Sequence, residues 1–155
     1  MKRLLSLVMI LALPSQAMAL PSQDQWSINV DPKLQARMEE ARNLIKAERF
    51  ADAIPLLRDL TKDAPEKADI FNWLGFAYRN TGDFENSASA YEKALQLEPS
   101  HLQALEYQGQ LFLALDNHDA AEANLRRIEA LCAWPCEEKK ALTDAIAAWR
   151  AEQGQ

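Results

Sequence analysis

The stretch FNWLGFAYRNTGDFENSASAYEKALQLEP, residues 71–99, decides the fold. It reads as two amphipathic segments joined by a polar turn. Phe71, Leu74, Ala77 and Tyr78 recur at spacings that place them on one helical face. Gly82 follows, and glycine readily takes the left-handed conformation that ends a helix. Asp83 is placed to cap the next helix. Ser87, Tyr91 and Ala94 give that helix its inward face. Pro99 ends it, because proline has no backbone N–H to donate. Gly75 and Ser87 are small where the two helices would cross, which lets them approach closely.

The pattern recurs at a spacing of 34 residues. Ala41, Gly75 and Gly109 form a column of small residues, and Leu44, Tyr78 and Phe112 a column of large ones. Ala53, Ser87 and Ala121 are small again; Leu57, Tyr91 and Leu125 are large; Leu60, Ala94 and Ile128 are apolar. Phe50, Phe84 and His118 share a column, as do Pro65 and Pro99, where the third copy has Ala133 and then Pro135 two residues later. Asn117 stands near the place of Gly82 in the third copy, and asparagine tolerates the left-handed conformation next best.

These columns resemble the tetratricopeptide repeat, most fully over 71–99 and more loosely in the flanking copies. The resemblance implies an all-α fold: three antiparallel helix-turn-helix repeats (34–67, 68–101 and 102–135) stacked as a right-handed solenoid. The ends agree. Asp31-Pro32 reads as an N-cap followed by proline at the first helical position. In EEKKALTDAIAAWRAEQ, residues 137–153, Leu142, Ala145, Ile146 and Trp149 share one face. A helix over 137–152 would cap the raw apolar surface of the last repeat. Pro55 falls inside the second helix of the first copy, near its start, where it should cost one hydrogen bond and leave the helix intact. A single domain is therefore expected over 32–155, preceded by an extended segment, 20–31, with Trp26 in it.

Residues 1–19, MKRLLSLVMILALPSQAMA, stand apart. Lys2 and Arg3 precede an apolar run from Leu4 to Leu13, and Ala17-Met18-Ala19 offers a cleavage site, so the segment reads as a secretory signal peptide. The run is about half the length of a membrane-spanning helix. The expected mature protein starts at Leu20 and is exported, soluble and periplasmic, with no stable membrane anchor. Loss of Lys2 and Arg3 takes the formal net charge from −6 to −8. That sign argues against nucleic acid as a partner.

LCAWPCEE, residues 131–138, holds both cysteines of the chain. Export places Cys132 and Cys136 in an oxidising compartment, and a bend at Pro135 brings them within bonding distance. A disulfide that fixes the angle of the capping helix is the first reading. Copper binding and thiol redox chemistry through the same pair compete with it. Haem attachment fails, because Glu137 stands where a histidine is needed. His101 and His118 lack the converging ligands of a zinc site. No cofactor, metal or catalytic residue is expected: there is no phosphate loop, no H-E-x-x-H and no nucleophile elbow. The adjacent pairs Glu39-Glu40 and Glu137-Glu138 diverge on a helix.

In the tetratricopeptide family, the first helix of each pair lines a concave groove that commonly binds a peptide. Carried over by position, the resemblance implies a groove of Gln35, Met38, Arg42 and Ile45, then Asp69, Asn72, Phe76, Arg79 and Asn80, then Gln103, Glu106, Gln110 and Leu113. Arg42 and Arg79 would hold a carboxylate, Asn72 and Asn80 a peptide backbone, and Phe76 would be an exposed hot spot. The family's chaperone-type carboxylate clamp is not expected, since Met38 and Gln103 stand where its lysines would be. The function implied is a non-enzymatic adaptor or scaffold that binds a protein segment. An assembly chaperone, of the kind used in cytochrome c maturation, and copper or thiol handling are the alternatives.

Overall fold

A computed structural model describes residues 31–132 and 135–154. Residues 1–19, read above as a signal peptide, the segment 20–30 with Trp26, and Ala133 and Trp134 lie outside the described residues. Within the described residues seven helices follow one another: α1 (Pro32–Lys46), α2 (Phe50–Asp63), α3 (Ala68–Asn80), α4 (Phe84–Leu97), α5 (Leu102–Ala114), α6 (His118–Leu131) and α7 (Glu137–Glu152). Among the described residues there is no strand.

Local chemistry sets the helix ends. The Asp31 side chain accepts from the Lys33 N–H at 2.9 Å, with Pro32 opening α1. Asp83 caps α4 by accepting from the Asn86 N–H at 3.2 Å. Ala64 and Glu98 are the C-cap residues of α2 and α4, and Pro65 and Pro99 follow them directly. Pro55 lies exposed inside α2, and the helix runs through it.

One turn departs from the sequence reading. Asn117 does not take the left-handed place. That place falls to Asp116, at φ 56°, in register with Gly82 at 80° and Glu48 at 56°. Asn117 instead matches Asp83: its side chain accepts from the Ala120 N–H at 3.2 Å and caps α6. The tight turn needs one left-handed residue and then one cap, and the short polar side chain of asparagine serves better as the cap. The first copy has neither preference met. Glu48 sits left-handed, and Arg49 caps α2 with no side-chain hydrogen bond.

Helices pack in sequential order, each against its predecessor, while α1, α3, α5 and α7 also touch across the pairs. The result is a helical-repeat solenoid. Within the central pair, a Cβ on Gly75 would come within 2.8 Å of the Tyr91 ring, so the glycine creates the space that the ring fills. Ser87 Oγ donates to the Gly75 carbonyl at 2.8 Å and satisfies the polar group at this crossing. Two buried apolar clusters share the core, one around Leu57, Leu60 and Ile70, the other around Leu105, Ile128 and Leu142.

The last helix sits on α5 and α6 as α5 sits on α3 and α4. Leu142 and Ile146 are buried beneath it. A Cβ on Gly109 would lie 2.7 Å from Leu142, so the close approach of α5 and α7 depends on that glycine. Trp149 stacks on His118 at 5.2 Å, and Arg150 reaches Glu122 at 2.7 Å. Cys132 and Cys136 are joined by a disulfide, with their Cα atoms 6.0 Å apart. They are the C-cap of α6 and the N-cap of α7, so the bond spans the bend between those helices.

Candidate interaction groove

The first helices α1, α3 and α5, with α7 beside them, line one face with two open clefts. The first, of about 400 Å³, is bounded by Arg42, Ile45 and Lys46 from α1, Asp69, Trp73 and Phe76 from α3, and Gln103 and Tyr107 from α5. The second, of about 450 Å³, continues past Arg79, Gln110 and Leu113 to Trp149 and Glu152 of α7, with Asp116 at its rim.

Aromatic rings and arginines dominate the first cleft. Phe76 packs between Phe50 and Tyr107, with ring centres 5.6 and 4.6 Å away. The Arg42 guanidinium lies over the Trp73 ring at 5.2 Å, and its Nη1 pairs with Glu39 at 3.1 Å. Arg79 lies over both Phe76 and Tyr107, at 5.4 and 5.8 Å. Such contacts orient a cation without neutralising it. Arg79 also donates to Gln110 Oε1 at 2.6 Å, and Gln110 Nε2 donates to the Glu106 carboxyl. Arg79 Nε and the Tyr91 hydroxyl are buried with no hydrogen-bond partner among the described residues.

Glu106 is buried, at 4% exposure. Burial pushes its carboxyl up to about 7, against the opposing pull of the Gln110 hydrogen bond and the Arg79 charge, with Glu138 adding a smaller upward push. Burial likewise raises Tyr107. At the other end of α5, His101 caps the helix: its Nδ1 accepts from the Ala104 N–H at 3.2 Å. The proton therefore sits on Nε2, which donates to Asp69 at 3.1 Å.

The structure regroups the residues selected from the sequence. Arg42, Ile45, Asp69, Phe76 and Gln103 meet in the first cleft, and Arg79, Gln110 and Leu113 in the second. Three others are turned inward. Met38, Asn72 and Glu106, one column of the repeat, are 8%, 0% and 4% exposed, because consecutive first helices bury this edge against each other. Asn72 spends its amide on Gln103 Oε1 at 2.9 Å and presents no free face to a peptide. Phe76 is half-buried between two rings, not exposed. Asn80 folds back to the Phe76 carbonyl at 2.8 Å and lines neither cleft, and Gln35 lines neither as well. Trp73 and Tyr107 were missed. Each lies one residue after the inward column, and their aromatic character at a spacing of 34 residues was the available signal.

Residues 68–101 match the family model of the tetratricopeptide repeat. That segment is a tetratricopeptide repeat. The fold of the chain is similar to that of the type III secretion translocator chaperone SycD of Yersinia enterocolitica, with 16% identity, a TM-score of 0.71, and coverage of 81% of this chain and 98% of that one. It is also similar to the first tetratricopeptide domain of Spaghetti (RPAP3), solved with the HSP90 peptide SRMEEVD: 19% identity, TM-score 0.69, 83% and 99% covered. MamA of Desulfovibrio magneticus RS-1 matches at 24% identity and a TM-score of 0.61 over 64% of this chain, which spans only 56% of that one. At these identities the likeness is one of fold. No curated protein sequence shows significant similarity to this chain. Among its described residues, no helix is long and apolar enough to cross a membrane.

Proposed function

We propose that the chain is a non-enzymatic interaction module that binds a segment of a partner protein along the face formed by α1, α3, α5 and α7. The observation that carries this reading is the pair of arginines on this face, Arg42 in the first cleft over the Trp73 ring and Arg79 in the second over the rings of Phe76 and Tyr107. A cation fixed over an apolar floor offers a ligand charge and burial together, which is how interface hot spots are built. The solved complexes of SycD with a peptide of the translocator YopD and of Spaghetti with an HSP90 peptide support peptide binding on this fold. The leader-like residues 1–19 support action as an exported, periplasmic adaptor. The disulfide serves as a staple for α7, since it engages both sulfurs.

Affinity capture from a periplasmic extract tests this reading. Mature protein is compared with a variant carrying Arg42→Ala, Phe76→Ala and Arg79→Ala, its helicity checked by circular dichroism. A partner retained by the wild type and lost by the folded variant is the expected result. Identical capture by both proteins sinks the groove.

A further inference from the structure

The two clefts carry opposite charge, and the helices fix their order. The cleft beside α1 presents Arg42 and Lys46, both exposed. The one acid among its lining residues, Asp69, offsets only one of these two cations. The cleft beside α7 presents Asp116 and Glu152, both exposed. The one cation in its lining, Arg79, keeps its charge but is half-buried against the Phe76 and Tyr107 rings, so two exposed acids outnumber it. With a formal net charge of −6, the chain repels acidic ligands in general, which makes the cationic end a local exception. Arg42 does share its charge with Glu39, but that pair is exposed and three residues apart on one helix. A ligand carboxylate displaces such a contact at small cost.

Resting on the groove reading above, we propose that the partner segment is bipolar. Acidic side chains at one end seat on Arg42 and Lys46, large apolar side chains cover Trp73, Phe76 and Tyr107, and basic side chains at the other end face Asp116 and Glu152. Packed helices stand roughly 8–10 Å apart, so the path from α1 to α7 covers about 24–30 Å. That is about seven to nine residues of extended chain. A uniformly acidic segment meets repulsion at α7, and a uniformly basic one meets it at α1.

Fluorescence anisotropy at low salt, with the mature chain and labelled nine-residue peptides, tests this. All share the centre Ser-Phe-Ser-Leu-Ser. One has Asp-Asp at one end and Lys-Lys at the other, made in both chain directions. A second has Asp-Asp at both ends, and a third Lys-Lys at both. The better bipolar peptide should bind about five- to tenfold tighter than either uniform one, as expected for two exposed charge contacts. Arg42→Glu with Lys46→Glu should shift the preference to the basic peptide, and Asp116→Lys with Glu152→Lys to the acidic one. An unchanged ranking on all three proteins overturns the proposal, as does failure of every peptide to bind. Equal binding of all peptides that is lost in Phe76→Ala overturns bipolarity and leaves the groove. Equal binding to the triple alanine variant removes both.

Discussion

Replacing Glu106 by glutamine should stabilise the protein at neutral pH and leave it unaffected in acid. In the unfolded chain this carboxyl titrates at its ordinary value of 4.5, and in the fold it holds its proton up to about 7. Folding therefore takes up a proton between these values. The stability contributed by the protonated side chain is fully present below pH 4.5, falls as pH rises, and is lost above about 7. At 1.36 kcal/mol per pH unit, the gap corresponds to roughly 3 kcal/mol. Glu106→Gln keeps the shape and an oxygen to accept from Gln110 Nε2, but it cannot ionise. Urea unfolding followed at 222 nm, for wild type and variant from pH 4.5 to 8, gives the difference directly. Other carboxylates move both curves alike and cancel. The variant should match the wild type at pH 4.5 and exceed it by about 2–3 kcal/mol at pH 8. A difference that stays flat with pH, or a variant less stable at pH 8, would refute the assignment of a buried, neutral carboxyl.

Other perturbations have equally definite outcomes. Gly109→Ala places a methyl group against Leu142 and should cost about 1–3 kcal/mol, read as a lower melting temperature with a change in Trp149 fluorescence. Wild-type stability would mean that α7 does not depend on that close approach. Arg49→Asp gives α2 the cap it lacks and should add about 1 kcal/mol, even after loss of the exposed Arg49–Asp52 pair. Cys132→Ser with Cys136→Ser opens the short ring and should cost about 2 kcal/mol in denaturant unfolding, a loss that reductant reproduces in the wild type.

Much of this architecture was legible in the sequence because it depends on local chemistry repeated three times. Asp31-Pro32, Asp83 and Pro99 mark helix ends through backbone valence and φ alone. Gly75 reports a helix crossing because nothing larger fits beside Tyr91. The groove was less legible because it depends on how first helices lie against each other. Neighbouring residues on a helix differ by about 100° in direction, so both sides of an edge fit a pattern of spacing. Packing between α3 and α5 takes Asn72 and Glu106 inside and leaves Trp73 and Tyr107 on the face. No periodicity reveals that choice. The misplacement of Asn117 has a similar origin: asparagine suits both the left-handed position and the cap, and the neighbouring Asp116 settles which it takes.

The most direct measurement of the central claim is site-specific photocrosslinking. A benzophenone side chain replaces Gln103, exposed in the first cleft, or Glu92, exposed on α4, and each mature protein is irradiated with periplasmic extract. A partner crosslinked from position 103 and not from position 92, and suppressed by Phe76→Ala, is the result predicted for a working groove. Crosslinking from position 92 alone, or from both positions equally, would contradict it.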